Sequence, residues 1–126
     1  MPLAQCVAFS QAGLDLWARG RDTDAALAAV LKLGPQMALV TQGAAGARFT
    51  QRDHAPQQVA APQVTAIDTT GAGDVFHAAL AIALAEHQAA HDAVRWACAA
   101  AAYKCAHGMG SAGAPTRAEL DAWMRG

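Results

Sequence analysis

Read for apolar spacing, the chain separates into short continuous apolar runs and longer stretches of helical period. Cys6-Val7-Ala8-Phe9-Ser10 has the length and composition of a strand, and Gln11 to about Arg19 carries Leu14 and Trp17 on one side of a helix. Arg21-Asp22-Thr23 punctuates. Asp22 or Thr23 is placed to cap a helix over Asp24 to Leu33, whose stripe is Leu27, Val30 and Leu31, and Gly34-Pro35 stops it. Met37-Ala38-Leu39-Val40-Thr41 is apolar without alternation, the pattern of a strand buried on both faces. This strand–helix–strand order predicts a right-handed βαβ unit and a parallel sheet.

The second half has a different rhythm. Gln51 to Pro62 is polar and carries Pro56 and Pro62, so it reads as a loop with one short edge strand around Gln58-Val59-Ala60. Val64-Thr65-Ala66-Ile67 reads as a short extended segment. Val75 to Glu86 is almost wholly Ala, Leu, Ile and Phe, which predicts a buried helix. A second helix follows from His91 to His107, with Val94, Ala97, Cys98, Ala101, Ala102 and Cys105 at helical period and Trp96 and Tyr103 as packing anchors. The glycine-rich run Gly108 to Ala114 breaks it. Pro115 and Thr116 open a last helix to about Met124, in which Thr116 and Glu119 have capping-box spacing and Leu120 and Trp123 face the core.

Composition narrows the function classes. The 126 residues allow one domain; 54% are hydrophobic, much of that alanine, 15% are charged, and the net charge is −1. That is the balance of a globular protein and not of a nucleic-acid binder, which would be basic. No apolar run is long enough to span a membrane, the stretch Ala78 to Ala85 included. The N-terminus has no basic region before an apolar core, so no signal peptide is expected and the cytoplasm is the default compartment. Cys6, Cys98 and Cys105 are odd in number and lack metal-binding spacing, which favours packing over chemistry. His87 and His91 flank what reads as an inter-helix connection and are expected on the surface.

Candidate chemistry concentrates in Asp68-Thr69-Thr70-Gly71-Ala72-Gly73-Asp74, between the extended segment and the buried helix. A glycine-rich turn feeding a helix N-terminus presents free N–H groups and a partial positive charge, which together suit a phosphate. An Asp in the first turn could accept the proton of a hydroxyl attacking that phosphate. The same features also occur in ordinary turns, since an Asp there is favoured by the dipole alone. The run is neither a Walker A loop nor Gly-x-Gly-x-x-Gly. Upstream, Thr41-Gln42-Gly43-Ala44-Ala45-Gly46 follows a predicted strand and reads either as a plain hairpin turn or as a connection that lets a ligand near the backbone.

The run Asp68 to Asp74 with Val75-Phe76 resembles the C-terminal signature of the ribokinase-like (PfkB) family of carbohydrate kinases. The resemblance implies that Asp74 is the catalytic base and that the backbone of Gly71, Ala72, Gly73 and Asp74 forms an anion hole. It implies that Asp68, with the Thr70 carbonyl, helps hold a monovalent cation such as K⁺. Thr41 to Gly46 resembles the family's Thr-x-Gly-x-x-Gly element, which places Thr41 and Gly43, with Gly46 closing the turn, by the nucleotide phosphates. The tail, an Ala-rich helix, a glycine-rich loop and Pro115-Thr116-Arg117-x-Glu119-Leu120, resembles the family as well. Met109 and Ala78 depart from its pattern, where glycine is usual.

The implied fold is α/β and ribokinase-like, a partial three-layer α/β/α arrangement with a mostly parallel sheet. Residues 1–126 form the C-terminal, nucleotide-binding half, without the lid, the N-terminal strands or the residues that select the acceptor. The implied reaction is transfer of the γ-phosphoryl of ATP, with Mg²⁺, to a sugar hydroxyl. Asp74-Val75-Phe76-His77 and Tyr103-Lys104-Cys105 look most like the fructokinase and sulfofructose-kinase branch. Nucleoside or hydroxymethylpyrimidine acceptors, and a non-catalytic remnant that needs a missing half, are the alternatives. Full-length relatives frequently form homodimers through the lid.

Overall fold

Four strands and five α-helices are formed by residues 6–108 and 114–125, which the computed structural model describes. The chain divides into two units, Met1–Gln58 and Val59–Gly126. The first opens with β1 (Cys6–Ser10), α1 (Gln11–Ala18), α2 (Thr23–Leu31) and β2 (Met37–Thr41). β1 and β2 pair in parallel from Cys6↔Met37 to Ser10↔Thr41, as the strand–helix–strand order predicts. β3 (Ala47–Gln51) then turns back to pair antiparallel with β2, from Met37↔Gln51 to Thr41↔Ala47, and β4 (Gln57–Val59) borders it. The sheet is therefore mixed.

Local chemistry sets the helix ends. The Ser10 hydroxyl accepts from the Gly13 N–H at 3.0 Å and the Asp22 carboxylate from the Ala25 N–H at 2.7 Å, each satisfying an orphan donor of a first turn. The α2 helix ends at Leu31 rather than Leu33, because Leu33 and Gly34 bond back to Val30 and Leu31 in turns, leaving Leu33 exposed. Arg52 donates to the Leu31 and Pro35 carbonyls at 2.6 and 2.9 Å and so covers that helix end. Leu14, Ala18, Ala26, Leu27, Val30, Ala38 and Val40 form the core, flanked by Val7, Phe9 and Leu31. Met37 to Val40 are all buried. Arg48 on β3 and Asp24 on α2 form an ion pair, with Nη2 and Oδ2 at 2.8 Å.

The second unit is helical. Val64 to Ile67 forms no strand. The α3 helix (Ala72–Ala85) starts ahead of Val75 and buries Val75, Phe76, Ala79, Leu80 and Ala83. It packs along α4 (Ala90–His107), whose buried positions include Ala93, Val94, Ala97, Cys98 and Ala100. The α5 helix (Arg117–Arg125) packs on α4 and buries Leu120. Its capping box is formed: Thr116 N–H donates to Glu119 Oε1 at 3.0 Å and Glu119 N–H to Thr116 Oγ1 at 3.1 Å. Trp123 is half-buried and meets Tyr103 edge-on, with centroids 5.6 Å apart. No helix among the described residues is long and apolar enough to cross a membrane. Cys6 and Cys98 are free thiols pushed up to about 11 by burial, so neither is a ready nucleophile. The glycine-rich loop expected after α4 lies, from 109 to 113, outside the described residues.

Candidate active site

The site is built on the end of α4. A helix leaves its last carbonyls without partners, and the Cys105 carbonyl accepts from both the Ile67 N–H (2.7 Å) and the Asp68 N–H (3.3 Å). That bond explains why the β-branched run before it is not a strand: its last backbone donors go to a helix end. Asp68 Oδ1 then accepts from the Thr70 N–H at 2.9 Å, a local side-chain turn that starts the chain's reversal. The Ala72 N–H closes on the Thr69 carbonyl at 3.1 Å, and Gly71 takes φ 80°, a left-handed value that favours glycine.

From there α3 begins. The first intrahelical bond runs from the Val75 N–H to the Gly71 carbonyl at 3.0 Å, and no side chain caps the helix. The N–H groups of Gly73 and Asp74 make no hydrogen bond among the described residues. A Cβ placed on Gly73 would meet nothing within 4 Å, and its φ is not positive. Neither backbone conformation nor packing within the chain demands a glycine there, whereas a ligand resting on the amides would. The Ala72 N–H, by contrast, is already spent in the turn.

Asp74 sits in the first turn of α3, exposed, on the rim of a cavity of about 280 Å³ whose walls include Ile82, Trp96, Pro115 and Leu120. Ala78 lines the same cavity and is exposed, so its methyl enters open space rather than a tight helix–helix contact. The His77 ring places Nδ1 2.7 Å from the Gly73 carbonyl, one turn back. Arg117, also on the cavity wall, pairs with Glu86 and lies over the Trp96 ring at 5.5 Å.

Beneath the turn lies Lys104, in the last turn of α4 and fully buried. Its Nζ donates to the Asp68 carbonyl at 2.8 Å and lies 3.3 Å from Asp68 Oδ2. In the sequence this residue stands out only within Tyr103-Lys104-Cys105, the stretch that resembles one branch of the family. The signal was a lone cation on the alanine face that also carries Ala97 and Ala100, since a buried ammonium must be paired.

In the first unit, Thr41 ends β2 and its hydroxyl donates to the Phe9 carbonyl at 3.4 Å. A single 3₁₀ turn, Gly43–Ala45, follows, with φ 57° at Gly43 and 98° at Gly46. The Gln42 N–H closes it on the Gly46 carbonyl at 2.8 Å. The element is thus a hairpin connection with two glycines in left-handed geometry. Gln42 fixes it further, donating to Gln11 Oε1 at 3.2 Å and accepting from Gln58 at 3.0 Å. Among the described residues, no group of three or more His, Cys, Asp or Glu side chains is placed to hold a metal ion.

A ribokinase of Arabidopsis thaliana is 43% identical over 77 residues, covering 60% of this chain and 20% of the relative. A ribokinase of Bacillus subtilis is 38% identical over 93 residues, covering 72% of this chain and 31% of the relative. The chain therefore spans less than a third of the length of these curated relatives. Among solved structures, a fructokinase from Vibrio cholerae O395 bound to fructose, ADP and a calcium ion superposes with a TM-score of 0.83 at 32% identity. That match covers 94% of this chain and 40% of the other. A double mutant of that fructokinase has also been solved with fructose, ADP and a potassium ion. The fold is ribokinase-like. Residues 1–117 match the pfkB family carbohydrate kinase, and the chain belongs to that family.

Proposed function

We propose that the chain is the C-terminal, nucleotide-binding and catalytic-base part of a carbohydrate kinase that moves the γ-phosphoryl of ATP to a sugar hydroxyl. The observation that carries this reading is the pair of amides at Gly73 and Asp74 that have no partner among the described residues. They stand at the start of a fourteen-residue helix, beside open space where a Cβ would fit. Two N–H donors and the helix dipole act on the same point, where charge builds on a transferring phosphoryl group.

Each residue then has a task. Gly71 makes the reversal that aims the amides; Gly73 and Asp74 N–H groups hold the phosphoryl oxygens. The Asp74 carboxylate, in the first turn of the helix and open to solvent, takes the proton of the incoming hydroxyl. In the first unit, the turn with Thr41 and Gly43 is the phosphate-contacting element that the family resemblance implies. Mg²⁺ brought with the nucleotide would supply neutralisation of the charge that develops on the transferring phosphoryl group. The acceptor is a small sugar of the kind that the Vibrio relative binds, and the fructokinase branch is the preferred assignment.

Calorimetric titration with Mg-ATP tests the reading. Saturable binding at one site is expected, retained in Asp74→Asn while phosphoryl transfer to fructose or ribose falls by about 10²–10⁴-fold. A folded protein that does not bind Mg-ATP refutes it.

A further inference from the structure

We infer that Lys104 is a built-in monovalent cation for the signature turn. The family resemblance gives Asp68 to a potassium-type ion, and the residues here do not fit a free one. Asp68 already gives its carbonyl (2.8 Å) and Oδ2 (3.3 Å) to the Lys104 ammonium and its Oδ1 to the Thr70 N–H (2.9 Å). A carbonyl and a carboxylate oxygen are what a hard monovalent cation seeks, and an ammonium with three donors meets the same oxygens. This ammonium is delivered on a covalent stem from the last turn of α4 and has no exposure to solvent. A second positive charge brought to Asp68 would be repelled by the first at short range and low dielectric.

The consequence for function rests on reading Asp68 to Asp74 as the phosphoryl site. An exchangeable ion makes the turn's geometry depend on the salt present; a tethered ammonium fixes it. Nucleotide binding by this protein is therefore indifferent to potassium.

Thermal unfolding, followed by circular dichroism in potassium, ammonium and tetramethylammonium chloride at one ionic strength, reads the inference without any nucleotide. The protein is expected to melt at the same temperature in all three. Lys104→Met is expected to melt about 10 °C lower, because it leaves Asp68 without its counter-charge. Its melting point should rise selectively in potassium and ammonium, which now have a site to occupy. Selective stabilisation of the unmutated protein by potassium overturns the inference, and so does a Lys104→Met variant blind to cation identity. Lys104→Gln carries the same comparison if Lys104→Met does not fold. Mg-ATP affinity of the unmutated protein should vary less than about twofold across the salts; a tenfold gain in potassium is a second refutation. Absence of Mg-ATP binding in every salt would refute the phosphoryl-site reading while the melting comparison still decides the role of Lys104.

Discussion

Replacing Gly73 with alanine separates what the chain needs from what a ligand needs. Gly73 lies in the first turn of α3 without a positive φ, and an added Cβ meets nothing within 4 Å. For the chain alone the change is favourable: it removes glycine's excess unfolded-state entropy, worth about 0.4–1 kcal/mol where the native backbone suits alanine. For a chain of 126 residues that corresponds to a rise in Tm of about 2–6 °C. For an anion on the amides the change is unfavourable. Oxygens must come within about 3 Å of the nitrogens, and the methyl occupies part of that approach. Displacing the transferred group by about 1 Å costs on the order of 10²-fold in rate, and Mg-ATP affinity should fall at least about tenfold. Urea unfolding followed by circular dichroism, paired with calorimetry, reads both effects on one sample. A destabilised variant would show that the protein itself requires this glycine. Unchanged affinity would show that nothing docks on these amides.

Two further outcomes follow from packing and charge. Leu27→Ala should destabilise the first unit by about 2–5 kcal/mol, because the side chain is fully buried in the α2 core; a loss under about 1 kcal/mol in urea unfolding would contradict that packing. Acid should weaken the fold. Hydrogen bonds from Thr116, the main-chain one foremost, hold Glu119 below its ordinary 4.5, and the Arg48 hydrogen bond holds Asp24 below its ordinary 3.8. Both folded-state values are depressed, so their contribution is complete above those ordinary values and is lost as pH falls through the lower folded ones. Glu119 is exposed and Asp24 only half-buried, so the loss is small, seen as a lower urea midpoint at pH 3 than at pH 6. A midpoint that rises on acidification would reverse the sign.

The helices were the legible part of the sequence. The run from Ala78 to Ala85 and the alanine-rich period through Val94, Ala97 and Cys98 leave few alternatives to a buried helix pair, and Thr116 with Glu119 announced the last N-terminus. The boundary of α3 is less legible: Ala72 and Gly73 belong to a glycine-rich turn in the sequence because glycine depresses helix propensity, yet with Asp74 they occupy the first turn of the helix. Val64 to Ile67 reads as an extended segment and joins no sheet, for a physical reason. Strand propensity reflects fit to a sheet, and the backbone donors of Ile67 and Asp68 find a carbonyl at the end of a helix instead. The signature itself was visible as a motif. Its support was not, since nothing local in the sequence ties Lys104 to a residue 36 positions earlier.

That support constrains the protein in a way composition does not. The last turn of α4 grips the start of the signature at three kinds of contact. The Cys105 carbonyl holds two main-chain N–H groups, the Lys104 ammonium holds two Asp68 oxygens, and Gly108 fits so close to Ile67 that a Cβ there would sit 3.3 Å from its side chain. All three depend on the angular phase of α4 at its end. One residue inserted upstream, between Val94 and Ala102, would turn that end by about 100° and carry lysine, carbonyl and glycine away from their partners together. The helix works as a spacer of fixed length, and evolution can change its side chains far more freely than its residue count.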